Sequence, residues 1–219
     1  MKRAMALLLA ALLALVLTGC NRNREPEEKP PNPVATITVA SYGDIKVELY
    51  PDIAPNTVYN FIKLANDGFY DGKEVFRVVS NVLIQSGDPN NDGTGDPGYY
   101  IKGEFSENGF ENSLSHMRGT ISMARKSDYD TAGSQFFIME GSYPEYDGYY
   151  AAFGALADEA SYEVLDAIGS RPVDGSYLPL DRIRIQRIRV ETFDVEYPDP
   201  ETLKKEEIDG RKDRKRGKS

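Results

Sequence analysis

The strongest constraint on this chain is a two-residue alternation that recurs in short runs along most of its length. In Ala35–Ala40 and Asp44–Tyr50, Ile37 and Val39, then Ile45, Val47 and Leu49, fall on one face. Alternate side chains of a strand point the same way, so these runs predict a β-hairpin turning at Ser41-Tyr42-Gly43. Further short runs follow at Val75–Val79, Val82–Gln85, Tyr99–Ile101, Gly119–Ala124, Gln135–Met139 and Ala151–Leu156, separated by Gly, Pro and Asn. Leu180–Val190 alternates at Ile183 and Ile185, then steps by three to Ile188 and Val190, which predicts a β-bulge. Helical spacing predicts two helices. One opens at Pro55-Asn56-Thr57, with Asn56 or Thr57 as N-cap, and buries Val58, Phe61, Ile62 and Ala65; the other covers Ser161–Ile168. No strand–helix–strand rhythm links them. The expected fold is mainly β: a closed eight-stranded antiparallel barrel capped by two α-helices.

The ends of the chain read differently. Lys2 and Arg3 precede an apolar run, Ala4–Leu17, that is shorter than the roughly 20 residues a membrane-spanning helix needs. A charged start, a short apolar run and small residues at its end make a secretory signal over residues 1–19. Leu17-Thr18-Gly19-Cys20 resembles the lipobox of bacterial lipoproteins. That resemblance implies lipidation of Cys20 and an extracytoplasmic protein anchored to the bacterial cell membrane. Residues 20–33 form a polar, Pro-rich linker. The folded domain is expected over 34–200, long enough for one core, and 201–219 as a charged, disordered tail.

Charge narrows the partners. Within 34–200 there are 13 Lys and Arg against 27 Asp and Glu, and an acidic surface repels phosphate backbones, so no nucleic acid is expected. The basic tip, Arg211–Ser219, is read as a solvated tail.

Nucleophilic chemistry is not indicated. Cys20 is the only cysteine, there is no G-x-S-x-G, and His116 is the only histidine, expected to be structural. Asp88-Pro89-Asn90-Asn91-Asp92-Gly93 matches the opening of an EF-hand loop. Tyr99 stands where the closing Glu should be, so the stretch is read as an irregular connection and a calcium-dependent adhesion role is not expected. Polar side chains in apolar strands are more informative. Arg77 would share a face with Val75 and Val79, and Gln85 and Gln135 sit likewise at strand ends. Such a set can line a cleft that binds a peptide without cutting it.

Phe76-Arg77-Val78-Val79, Gln85-Ser86-Gly87-Asp88, Gly93-Thr94-Gly95, Gly119–Ala124, Gly133–Ile138 and Phe153-Gly154 occur in an order and spacing that resemble the cyclophilins, peptidyl-prolyl cis–trans isomerases. The resemblance runs from about Ile37 to Val190 and implies the same eight-stranded barrel with a helix at each end. It implies that Arg77 is the catalytic arginine, supported by Gln85 and by Phe137, the floor of a proline pocket. Val82, Leu83, Ala124, Arg125, Gln135, Tyr146 and Tyr150 would then contact the substrate. Several positions depart from the common pattern: Arg125 replaces an Asn, Tyr150 a His, Val82-Leu83 a Phe-Met pair, and Glu145-Tyr146 a Trp-Leu pair. Weakened binding of the cyclic-peptide inhibitor cyclosporin is expected from Glu145.

The chemistry suits those residues. Rotating an X-Pro bond works against a barrier of about 18–20 kcal/mol while no covalent bond changes. A fixed guanidinium that binds the twisted amide better than the planar forms lowers the barrier by differential binding. No metal, cofactor or nucleotide is required. The expectation is a monomeric isomerase acting on proline-containing peptides and unfolded exported proteins; the alternative is a catalytically weak proline-peptide binding module or holdase on the same fold.

Overall fold

The structure, a computed structural model, describes residues 30–216. The expected signal peptide, Cys20 and most of the linker lie outside the described residues. β1 (Val34–Val39) and β2 (Gly43–Leu49) form the predicted hairpin, with Ala35, Ile37, Val39, Ile45, Val47 and Leu49 all buried. Ser41 and Gly43 both take positive φ, 67° and 116°, to make the turn. β3 (Arg77–Val79), β4 (Leu83–Ser86), β5 (Thr120–Met123), β6 (Phe136–Met139), β7 (Ala151–Leu156) and β8 (Ile185–Glu191) complete one antiparallel sheet in the order β3-β4-β6-β5-β7-β2-β1-β8. The predicted bulge is present: opposite β1 the register shifts between Thr38 and Val39, so Arg187 and Ile185 face consecutive residues.

The barrel is not fully closed by strands. Its end strands β3 and β8 do not form a ladder with each other. The segment before β3 instead meets the first residue of β8 and the two before it, through a Glu74–Arg184 bridge and backbone bonds from Val75 to Ile183, Gly72 to Ile185 and Ile185 to Lys73. β3 is only three residues long, and it is the residues before it, Gly72 to Val75, that make the contact. Tyr99–Ile101 likewise is not a sheet strand, because Tyr100 and Ile101 make only single bridges, to Leu203 and Ala132.

Two helices pack on the sheet. α1 (Pro55–Asn66) buries Val58, Phe61, Ile62 and Ala65 and lies against β8. Phe61 sits among Tyr70, Phe136 and Phe153 with ring centroids 5.3–5.4 Å apart. Neither Asn56 nor Thr57 is its N-cap. Ala54 occupies that position and has no side-chain acceptor, and the buried Glu104 supplies one from afar. Its carboxylate accepts from Asn56 N (3.0 Å), Thr57 N (2.7 Å) and Thr57 Oγ1 (2.6 Å). A carboxylate at this end also complements the helix dipole. α2 (Glu159–Gly169) begins two residues before the predicted start, with Asp158 capping Ser161 N at 3.0 Å, and packs on β2.

The segment expected to be a disordered tail is not loose at its start. Leu203 pairs with Tyr100, Ile208 is buried, and α3 (Lys205–Arg216) follows. Among the described residues no helix is long and apolar enough to cross a membrane.

Candidate active site

β4 and β6 carry apolar side chains on both faces, and that duality builds the site. Ile84, Phe136 and Ile138 point into the main core, whereas Leu83, Phe137 and Met139 form a separate cluster on the other face. Val79, Val82, Ala124, Tyr143, Tyr146 and Tyr150 pack around this second cluster. Strand register then aligns the polar groups. Arg77 pairs with Gln85, Gln85 with Phe137, and Phe137 with Ser122, so four neighbouring strands contribute one residue each to a single row.

A hydrogen-bonded relay runs along this face. Arg77 Nη1 donates to Gln85 Oε1 (3.1 Å), Gln85 Nε2 to Gln135 Oε1 (3.0 Å), and Gln135 Nε2 to the carbonyls of Gly95 (2.9 Å) and Gly93 (3.1 Å). Each carboxamide therefore has its orientation fixed by a donor on one side and an acceptor on the other. The guanidinium also stands 6.0 Å from the centre of the exposed Tyr177 ring. Arg77, Gln85 and Gln135 line a cleft of about 550 Å³, whose other walls include Phe76, Lys126 and Asp174. Val75, expected on the Arg77 face, lies in the main core instead, because the strand begins only at Arg77.

The apolar pocket is aromatic. Tyr150 meets the Phe137 ring edge-on at 5.6 Å and Tyr146 does so at 6.1 Å. Burial raises the Tyr146 hydroxyl above its usual pKa, with Tyr150 adding to the rise and Arg77 opposing it. Arg125 does not present a free side chain. Its guanidinium lies over Tyr150 (4.8 Å), Tyr129 (4.9 Å) and Phe105 (5.3 Å), and its Nε donates to Tyr149 O at 2.9 Å. It braces the pocket wall. Glu145 is exposed on the 3₁₀ turn Pro144–Tyr146. Leu83 and Val82 join the cluster at Phe137, and Ala124 N bonds to Gln135 O at 2.9 Å.

Sequence reasoning missed the layer beneath this pocket. His116, expected only to be structural, is fully buried under Phe137, with the two rings stacked at 6.0 Å. Its Nδ1 lies 2.8 Å from Asp147 Oδ1 and its Nε2 lies 2.9 Å from Ser122 Oγ. The carboxylate can only accept, so Nδ1 carries the proton and Nε2 accepts from the Ser122 hydroxyl. Burial lowers the His116 pKa against the opposing pull of Asp147. Burial works to raise the Asp147 pKa, but bonds from the His116 ring and backbone hold it below the usual value. The order Asp-His-Ser is that of a nucleophilic triad. Ser122, however, has no exposed surface for a substrate to reach. Its role is to hold the floor. No local spacing could have signalled it, since residues 116 and 147 are 31 positions apart.

The EF-hand-like stretch is a turn organised from within. Asp88 is buried, and its carboxylate accepts from Asn90 N (2.9 Å), Asp92 N (3.1 Å) and Gly93 N.

The family model for cyclophilin-type peptidyl-prolyl cis-trans isomerases matches residues 34–190. A peptidyl-prolyl cis-trans isomerase of Synechococcus elongatus is 41% identical over 126 residues, covering 58% of this chain and 82% of that one. Peptidyl-prolyl cis-trans isomerase B of Bacillus subtilis is 47% identical over 112 residues, covering 51% of this chain and 75% of the relative. A Gibberella zeae peptidyl-prolyl cis-trans isomerase-like 2 protein is 39% identical over 147 residues; the match covers 67% of this chain but only a quarter (25%) of that longer protein. Among solved structures, a cyclophilin-type isomerase of Cryptosporidium parvum, crystallised in the presence of the dipeptide Ala-Pro, superposes with a TM-score of 0.66 at 34% identity. The superposition covers 73% of this chain and 99% of that one.

Proposed function

The chain belongs to the cyclophilin-type peptidyl-prolyl cis–trans isomerase family, and from that premise we propose how its own residues carry out the reaction and where it acts. The activity is isomerisation of X-Pro bonds. The observation that carries the reading is the Arg77–Gln85–Gln135 relay lying beside an aromatic pocket. A proline ring enters among Phe137, Leu83, Val82, Tyr146 and Tyr150, and the peptide runs past Ala124 toward the cleft. As the amide twists, the prolyl nitrogen becomes pyramidal and gains a lone pair. The Arg77 guanidinium, aimed by Gln85, donates to that nitrogen and so binds the twisted state better than either planar one. Nothing covalent forms. Arg125 holds the Tyr150 wall, and Glu145, exposed where many relatives carry an indole, weakens cyclosporin binding.

The test is exchange of a short X-Pro peptide followed on the full domain. Wild-type protein accelerates exchange, and Arg77→Ala lowers kcat/KM by about 10²–10³-fold, the usual loss of one preorganised donor, while its melting curve stays unchanged. Equal inertness of both would replace this reading with a proline-peptide binding module.

The site of action follows from the N-terminus. Leu17-Thr18-Gly19-Cys20 after a 14-residue apolar run supports a lipid anchor on Cys20, with the domain outside the cell membrane acting on exported chains. A Cys20→Ser variant expressed in a bacterium should leave the membrane fraction. Retention there would refute the anchor.

A further inference from the structure

The chain does not leave the fold where the family match ends. After β8 it returns to the far side of the cleft, where Glu201 exchanges two hydrogen bonds with Asn56 (2.7 and 3.0 Å) and Leu203 exchanges two backbone bonds with Tyr100 (2.7 and 3.0 Å). This brings Lys205 onto Asp96. Its Nζ donates to both carboxylate oxygens, at 2.8 and 2.7 Å. The Asp96 side chain is only 11% exposed and lines the cleft. Its other neighbours are Gly98 N (3.0 Å) and Lys126 Nζ (3.5 Å), the latter also bonded to Tyr100 OH (2.8 Å).

Asp96 directly follows Gly95, whose carbonyl is one of the two acceptors that fix the Gln135 carboxamide. The loop carries Gly93, Gly95 and Gly98, so it has few side chains of its own to hold it. Asp88 secures the near part, at Asn90, Asp92 and Gly93. The Lys205 grip secures the part beyond. From Lys205 the contacts are continuous: Asp96 to Gly95 along the chain, Gly95 O to Gln135, Gln135 to Gln85, Gln85 to Arg77.

We propose that Lys205, outside the region shared with the family, is a positioning residue for the isomerase site: it pins Asp96, and through the Gly95 carbonyl and the two glutamines it sets the orientation of Arg77. The proposal rests on the isomerase reading above. It acts on the guanidinium and leaves the Phe137 pocket untouched, so the consequence of losing it falls on kcat more than on KM.

The experiment compares full-length wild type, Lys205→Ala and Lys205→Arg. Exchange kinetics on an X-Pro peptide give kcat and KM separately, melting curves report stability, and the NMR signals of the Gln135 side-chain amide report the relay itself. The Ala variant should lose about three- to fivefold in kcat, the range a partly exposed ion pair can supply, with a smaller change in KM and the Gln135 signals shifted. Arginine can grip both carboxylate oxygens, so Lys205→Arg should restore both readouts. The inference is overturned if Lys205→Ala leaves kcat and the Gln135 signals as in wild type. It is equally overturned if Lys205→Arg fails to rescue and the loss tracks the melting temperature. Inactive wild-type protein would instead remove the isomerase reading, and the Gln135 signals would then decide the positioning role alone.

Discussion

Replacing His116 by leucine tests the layer under the proline pocket. The imidazole has no exposed surface and uses both ring nitrogens, one on Asp147 and one on Ser122. Leucine fills similar space without either bond. Ser122, also fully buried, would be left with an unpaired hydroxyl, costing about 1–3 kcal/mol. The lost bond to Asp147 adds about 1 kcal/mol, less than the roughly 1.5–3 kcal/mol of a buried bond to a charged group, because the Asp147 side chain is 34% exposed and water can replace the ring. Leucine's apolar burial returns roughly 1 kcal/mol. The net expectation is a loss of about 2 kcal/mol. Removing the stranded hydroxyl should recover part of it, so His116→Leu with Ser122→Ala should be more stable than the sum of the single changes by at least about 1 kcal/mol. Urea unfolding of the four proteins measures this; the chain has 14 Tyr and no Trp, so tyrosine fluorescence and circular dichroism follow the transition. Because Phe137 stacks on this ring, KM for an X-Pro peptide should rise as well. Additivity within about 0.3–0.5 kcal/mol would refute the reasoning, since the two groups would then not depend on each other.

Three further outcomes follow from the same structure. His116 is neutral in the fold with its pKa lowered from 6.5, so the unfolded chain binds the extra proton first as pH falls. The stability it contributes is complete above about pH 6.5 and declines below it, with a slope of at most about 1.4 kcal/mol per pH unit that His116→Leu abolishes. Denaturant midpoints between pH 7 and 5 check this, and a flat wild-type profile would contradict it. Glu104→Ala strands the Asn56 and Thr57 amides at the start of α1 and should cost about 2 kcal/mol in unfolding free energy, while activity per folded molecule is unchanged. Arg125→Ala releases the Tyr150 ring from its cation–π contact and should raise KM by about three- to tenfold; an unchanged KM would mean that Tyr150 needs no brace.

The sequence by itself determined the elements and the chemistry available to them. Period-two alternation specifies which side of each strand is apolar, so the hairpin at 34–49, the bulge before Ile188 and the positions of Arg77 and Gln85 were legible without coordinates. Local pattern is silent on apolar surfaces that serve two purposes. Phe137 and Phe136 look alike in sequence, yet one floors the pocket and the other fills the core, because β6 separates them onto opposite faces. Contacts between distant residues were decided only by the path of the chain. Glu104 caps a helix 47 and 48 residues away, Asp147 meets His116 across 31, and Lys205 reaches Asp96 across 109. Each is a charged or polar group whose partner is set by where strands and loops converge, and such a group carries no periodic signal that a local window can read. The open seam between β3 and β8 has the same origin, since closure depends on the tilt and stagger of all the strands around the sheet.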